Sequence, residues 1–307
     1  MFSKKSLKKM NSPNFAIVVL NYMNYQDTIE CVESLLEQNY EKYQIIIIEN
    51  GSSNDSFIRL TEVFGLNTKI FLLKSETNLG FAKGNNIGIR YAVKSLSSDF
   101  VFVLNSDTIV NKNLLRSIAN TDLQDNIGVI SPTITDEFGN IQVPDLIINN
   151  LTVFTLKSCY KLLLTIILNN KFIYRLHNEY NTKIKKIRPL TVENNYQKEV
   201  NNATVKYSMQ GCAYFLTPNF FKFFNNIHPN TFLYWEEINL IWYIHKVNLR
   251  AILIDTPPVF HKGSKSVSLQ TTKDRLNKWK LSMSLQSMIR SIPMFFMNYK
   301  HIKKTYN

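Results

Sequence analysis

Asn21, Glu49, Asn78 and Asp107 each stand at or just beyond the end of a short apolar, β-rich run. Carboxylates and amides at such positions can bind a ligand, because open α/β sheets take ligands at the C-terminal ends of their strands. Asp107 is the sharpest case. Phe100 to Leu104 is an unbroken apolar run suited to a strand buried on both faces, and it stops abruptly at Asn105, Ser106 and Asp107. Asp107 or Thr108 could instead cap a helix beginning near Asn111. Four polar termini on four successive runs favour one binding edge over an isolated cap.

The elements that must position these residues follow in order. Phe15–Leu20 reads as a strand, Gln26–Gln38 as a helix with Ile29, Val32 and Leu35/Leu36 at helical spacing, and Tyr43–Ile48 as a second strand. A helix over 53–64, a strand over 69–73 and a helix from Gly80 to Lys94 lead to the strand before Asp107. This β-α-β-α-β-α-β alternation predicts an α/β fold around a parallel sheet with right-handed crossovers. Gly80, Gly84 and Gly88 share one helical face, where either a neighbouring element or a ligand can approach closely. Neither a G-x-G-x-x-G fingerprint nor a Walker loop is present, so nicotinamide and P-loop enzymes lose ground.

Beyond Asn111 the pattern changes. A strand is expected over 127–132, a hairpin over 133–143 around Glu137-Phe138-Gly139-Asn140, and a strand over 205–216 containing Gly211 and Cys212. Gly211 inside that strand signals close backbone approach or a bulge. Tyr234-Trp235-Glu236-Glu237 leads into a helix ending near Asn248, followed by a strand over 250–254 and by Phe260-His261-Lys262-Gly263.

The formal charge of +13 is segregated. Lys157–Arg188 carries eight basic residues against Glu179, and Lys262–Lys304 carries ten against Asp274. The tail adds Lys4, Lys5, Lys8 and Lys9, so the remaining body is acidic. Such segregation argues against a broad nucleic-acid groove, and no nucleic-acid partner is expected. Cys31, Cys159 and Cys212 form neither a disulfide framework nor a zinc spacing, as expected in a reducing cytosol. No apolar h-region follows the basic start, and the Leu162–Leu168 run is too short to span a bilayer. The two basic segments are also rich in Leu, Ile, Phe and Met, which suits an anionic membrane surface as well as a packed amphipathic face.

Six stretches carry a resemblance to a known family. They are Val-Val-Leu-Asn-Tyr (18–22), Glu-Asn-Gly-Ser (49–52), Asn-Leu-Gly-Phe-Ala-Lys-Gly-Asn-Asn (78–86), Leu-Asn-Ser-Asp (104–107), Glu-Glu-Ile-Asn-Leu (236–240) and Phe-His-Lys-Gly (260–263). In this order they resemble glycosyltransferase family 2, inverting enzymes of the GT-A fold, and especially its rhamnosyltransferase-like members of bacterial surface-polysaccharide assembly. The resemblance covers about 14–264 apart from an insert at about 150–200. It implies a nucleotide-sugar half over about 14–130 and an acceptor half over about 131–264. A basic tail (1–13) and a basic amphipathic helical tail (265–307) flank them.

The resemblance also implies roles. Asn21, Glu49, Asn78, Gly80, Lys83, Asn85, Asn105, Ser106 and Asp107 would bind the donor. Asp107 and His261 would hold Mg²⁺ or Mn²⁺ against the diphosphate. Glu237 would be the base, with Glu236 beside it, and a helix start favours the ionised form that a base needs. Gly211, Tyr234 and Trp235 would face the acceptor, the two aromatics by stacking or simply as core. Glu49 stands where the family usually has Asp, Asn105 where it has the first metal-motif acid, and Glu237 where it has Asp. The expected partners are a UDP- or dTDP-sugar, a polyprenyl-linked or oligosaccharide acceptor and an anionic membrane. The expected location is the cytoplasm, peripheral on the inner face of the plasma membrane. Alternatives are a degenerate member that only binds lipid-linked glycan, or a sugar-phosphate nucleotidyltransferase. The latter would want a glycine-rich basic loop where Asn21-Tyr22-Met23-Asn24 stands.

Overall fold

A computed structural model describes residues 12–142, 160, 163, 209–263 and 273–306. The expected tail before Ser12, nearly all of the insert, Val143 and residues 205–208 lie outside the described residues. The predicted alternation is present as β1 (Phe15–Asn21), α1 (Tyr25–Leu36), β2 (Tyr43–Asn50), α2 (Ser56–Phe64), β3 (Ile70–Ser75), α3 (Gly80–Lys94) and β4 (Phe100–Asn105). Then come β5 (Thr108–Val110), α4 (Leu114–Ala119), β6 (Ile127–Ser131) and β7 (Ile134–Thr135). After the insert follow β8 (Ala213–Leu216), α5 (Pro218–Phe221), α6 (Glu236–His245), β9 (Arg250–Leu253), β10 (Val259–His261), α7 (Lys273–Phe296) and α8 (Tyr299–Tyr306).

A seven-stranded sheet has the order β3-β2-β1-β4-β8-β6-β9, with β8 antiparallel to both neighbours and every other pairing parallel. The fold is α/β with a mostly parallel central sheet and helices on both faces. Period-two alternation splits β1 between two cores. Phe15, Ile17 and Val19 join Val32 and Leu35 of α1, while Ala16 and Val18 join Ala82, Ile89 and Ala92 of α3. Across the β4–β8 pair, Phe102 and Phe215 stack at 4.0 Å, which adds about 0.5–1.5 kcal/mol to plain burial.

Three expectations change. The helix placed near Asn111 begins at Leu114 behind Asn113, so neither Asp107 nor Thr108 caps it. Thr108–Val110 instead pairs antiparallel with β10, which opposes His261 to Thr108. The strand expected from Val205 is confined, among described residues, to Ala213–Leu216, with Gly211 in the turn before it. The hairpin shrinks to a Thr135–Ile141 bridge closed by Asp136. The C-terminal helices pack on the domain, with Met294, Phe295 and Ile302 buried in the α3-side core.

Candidate active site

Asn21 and Glu49 are the last or next-to-last residues of neighbouring strands and lie directly opposite each other in the β1–β2 register. Both are buried. Asn21 Oδ1 accepts from Thr28 Oγ1 at 2.8 Å, and Glu49 Oε1 accepts from the Ser52 backbone N–H at 2.8 Å. That leaves Asn21 Nδ2 and Glu49 Oε2 without a hydrogen-bond partner among the described residues. A buried polar atom left alone costs about 1–3 kcal/mol. One donor and one acceptor side by side at a strand edge therefore fit a ligand edge that offers the converse.

The β3–α3 turn is built by amides. Asn78 Oδ1 accepts from Gly80 N at 2.9 Å and from Asn50 Nδ2 at 3.1 Å, while Asn50 Oδ1 accepts from Leu79 N. Gly80 has φ +78°, and an added Cβ would overlap the backbone of Phe232, whose carbonyl accepts from Phe81 N. Asn78 and Gly80 thus dock the loop before Glu236 onto α3. Gly84 and Gly88 press against Leu20 and Val18, so close packing explains that glycine face. Lys83 is exposed on the first turn of α3. Asn85 is buried, donating to the Phe81 carbonyl, with Oδ1 unpartnered among the described residues. Asn86 makes two 2.8 Å bonds with the Ile227 backbone, a staple that the motif did not reveal.

At the end of β4, Asn105 works through its backbone: its N–H donates to the Cys212 carbonyl and its carbonyl accepts from Thr108 Oγ1. Ser106 and Asp107 form the turn beyond it. Asp107 Oδ2 lies 3.4 Å from His261 Nε2. The pair is held from behind, since Lys262 N donates to the Asp107 carbonyl and Lys262 Nζ pairs with Asp27 at 2.8 Å and with Glu30. Lys262 belongs to the Phe-His-Lys-Gly stretch (260–263), but a clamp to α1 across more than 200 residues has no sequence signal.

No group of three or more potential ligands of the His, Cys, Asp or Glu type occurs among the described residues. One carboxylate and one imidazole suit a hard divalent cation that takes its other positions from phosphate oxygens and water. Cys31 and Cys212 lie within electrostatic reach of Asp107, but burial pushes both thiols up, so neither is a nucleophile.

Cys212 also feels Glu237, which links the two acidic ends of the site. Glu237 rests on Gly211, where an added Cβ would overlap its carboxyl group. Close backbone approach is the reason for glycine there. Burial and the neighbouring Glu237 charge push the Glu236 carboxyl well above its ordinary value. Burial also pushes Glu237 up, against the Glu237 and Gly211 backbone N–H groups that favour its charge. The backbone N–H groups at the helix start favour the ionised form, as expected, while burial opposes it.

Tyr234 and Trp235, just before these acids, have φ of 71° and 76°. Two consecutive left-handed non-glycine residues cost about 1–3 kcal/mol each. Ser287 Oγ donates to the Leu233 carbonyl at 2.8 Å, and the Trp235 indole donates to Ser284 Oγ at 3.0 Å. Trp235 is buried by this packing, as its core reading expects.

A raised carboxyl has a signed consequence for stability. The folded protein holds the Glu236 proton more tightly than the unfolded chain. Its contribution is therefore complete below the unfolded value of about 4.3 and is lost as the pH rises through the raised folded value. Glu236→Gln should flatten that decline, gaining about 1–3 kcal/mol on wild type between pH 5 and pH 9 by these linkage principles. Urea denaturation across pH measures it; parallel wild-type and variant profiles would refute the burial argument.

A hexosyltransferase of low-salt glycan biosynthesis, Agl10 of Haloferax volcanii, is 27% identical over 126 residues, 41% of this chain and 38% of its own length. The glycosyltransferase GlyG of Streptococcus pneumoniae is 27% identical over 103 residues, 34% and 33% of the two chains. The matched stretch thus spans well under half of each relative. Among solved structures, the mannosyltransferase PcManGT from Pyrobaculum calidifontis, in complex with GDP-Man and Mn²⁺, superposes with a TM-score of 0.53 at 10% identity. It covers 98% of this chain and 81% of that one. S. aureus TarS 1–349 in complex with UDP gives 0.50 at 14%, over 94% and 68%. These likenesses show the fold, the GT-A architecture expected from the sequence. The model for Glycosyl transferase family 2 matches residues 16–188, more than half of the chain, and the chain belongs to that family.

Proposed function

We propose that the chain is a metal-dependent inverting glycosyltransferase, moving a sugar from a nucleotide diphosphate to a polyprenyl-linked or oligosaccharide acceptor in surface-polysaccharide assembly. The observation that carries this reading is the pair of orphaned buried atoms, Asn21 Nδ2 and Glu49 Oε2, on the same strand edge as the Asp107–His261 pair. The first pair suits the hydrogen-bonding edge of a base or ribose and the second a diphosphate. Asp107 and His261 would hold a Mg²⁺ or Mn²⁺ ion, whose contribution when bound is to neutralise charge on the leaving diphosphate. Glu237, across the Gly211–Cys212 turn, takes the proton of the acceptor hydroxyl on the face opposite the leaving group. Burial raises its proton affinity, the direction that strengthens a general base. A polyprenyl-linked acceptor would place the work at the cytoplasmic face of the plasma membrane.

The support from neighbours concerns donors: one is shown with GDP-Man and Mn²⁺ and another with UDP. The test is thermal unfolding in the presence of UDP-hexoses, UDP-N-acetylhexosamines, dTDP-rhamnose and GDP-mannose, each with Mn²⁺ or with chelator. One nucleotide class should raise the Tm by several degrees, as about 3 kcal/mol of ligand stabilisation at a hundredfold excess over Kd requires. The shift should shrink with chelator. No shift from any nucleotide sugar would sink the reading, and a shift only from sugar phosphates with nucleoside triphosphates would favour a nucleotidyltransferase.

A further inference from the structure

Helix α7 is two-sided. Ser287, Met288, Ser291, Met294 and Phe295 face inward and are buried, whereas Ile289, Ile292 and Phe296 are 52%, 37% and 72% exposed. Their i, i+3, i+7 spacing puts the three on one outer stripe. The next helix, α8, buries Ile302 and exposes Lys300, Lys303 and Lys304. Arg290 is exposed beside the apolar stripe. Residues 275–307 contain seven Lys or Arg and no Asp or Glu.

We infer that this outer face of α7 and α8 docks on an anionic lipid surface. An apolar stripe flanked by cations, with no acid near it in sequence, matches the apolar boundary and negative charge of such a leaflet. Charge decides against the other occupants. The basic insert segment Lys157–Arg188 carries a net +7 and would be repelled. A second copy meeting this face symmetrically would oppose the same cations to themselves. No described helix is long and apolar enough to cross a membrane, so the contact is one of a helix lying on the surface.

The inner face of α7 holds the loop before Glu236 through Ser284 and Ser287. A lipid surface on the outer face therefore lies about one helix diameter, ~10 Å, from the acceptor-side loop. The docking inference itself does not depend on the transfer reaction and is tested by binding alone.

The experiment is flotation of the full chain with vesicles of phosphatidylcholine containing about a third phosphatidylglycerol, against phosphatidylcholine alone. At low salt the wild type should float with the anionic vesicles at least about tenfold better, and high salt should release it. Lys303→Glu with Lys304→Glu should weaken binding by more than about tenfold, as about fivefold per lost cation implies. Ile289→Ser with Phe296→Ser should weaken it about tenfold at unchanged Tm, because both side chains are exposed. Three results overturn the inference: failure to float at low salt, either double variant floating like wild type, or a dimer in light scattering that Phe296→Ser dissolves. The second would move binding to another basic segment, and the third would make a second copy the occupant.

Discussion

Glu237→Gln should transfer sugar about two to four orders of magnitude more slowly than wild type, the usual share of a general base. The amide keeps the shape that rests on Gly211 and removes the proton acceptor. Donor affinity should barely move, because Glu237 lies across the Gly211–Cys212 turn from the Asp107 pair. Glu236→Gln should cost less. Glu236 is buried as a residue, and its Oε1 has no hydrogen-bond partner among described residues. Glu237→Asp restores the family's usual residue but shortens the arm by one carbon. Since Gly211 is fitted to the longer acid, the aspartate should lose activity, as displacement by about 1 Å can cost a hundredfold. Gly211→Ala tests the same contact from beneath and should slow transfer with the donor Kd unchanged. Transfer at saturating donor measures all four. An active Glu237→Gln beside a dead Glu236→Gln would exchange the two roles, and full activity of both would remove the base from this pair.

Asp107→Ala should abolish divalent-dependent donor binding, a loss of at least about a hundredfold in affinity at saturating Mn²⁺. Asp107 is the carboxylate of the Asp107–His261 pair, and a hard cation leans on carboxylate oxygen more than on imidazole. His261→Ala should weaken binding less. Asp27→Asn with Glu30→Gln releases the Lys262 clamp without touching either ligand, and should produce a smaller loss of the same kind. Titration calorimetry of the nucleoside diphosphate with and without Mn²⁺ gives the answer. Metal dependence unchanged in Asp107→Ala would refute the assignment, whereas loss of fold in circular dichroism would mark the substitution as structural.

Much of the binding edge was legible in the sequence. Apolar β-rich runs, each ended by a polar residue and separated by helical periodicity, suffice to predict parallel strands with their polar ends on one side. The β1–β2–β4 register confirms the shared edge. The reason is local: strand and helix periods are written in adjacent residues, and crossover handedness leaves few topologies. Element ends were less legible. Asn21, Asn50 and Asn105 belong to their strands because ladder hydrogen bonds continue past the last apolar side chain.

What only the tertiary structure decided concerns contacts between distant segments. Nothing in Gly211 or Glu237 alone says that one is the floor of the other. Trp235 reads equally as stacking surface or core until Ser284 is seen to take its indole N–H. Desolvation pushes the Glu236 and Glu237 carboxyls up, and it depends on what surrounds a carboxyl, which the sequence does not display. Lys262 reads as one more cation in a basic segment until Asp27 and Glu30 close on it. Sequence fixes what recurs along a few neighbouring residues, namely strand, helix and the polar ends that make an edge. Burial, pairing and charge state are set by groups brought together from far along the chain, and those are properties of the folded chain alone.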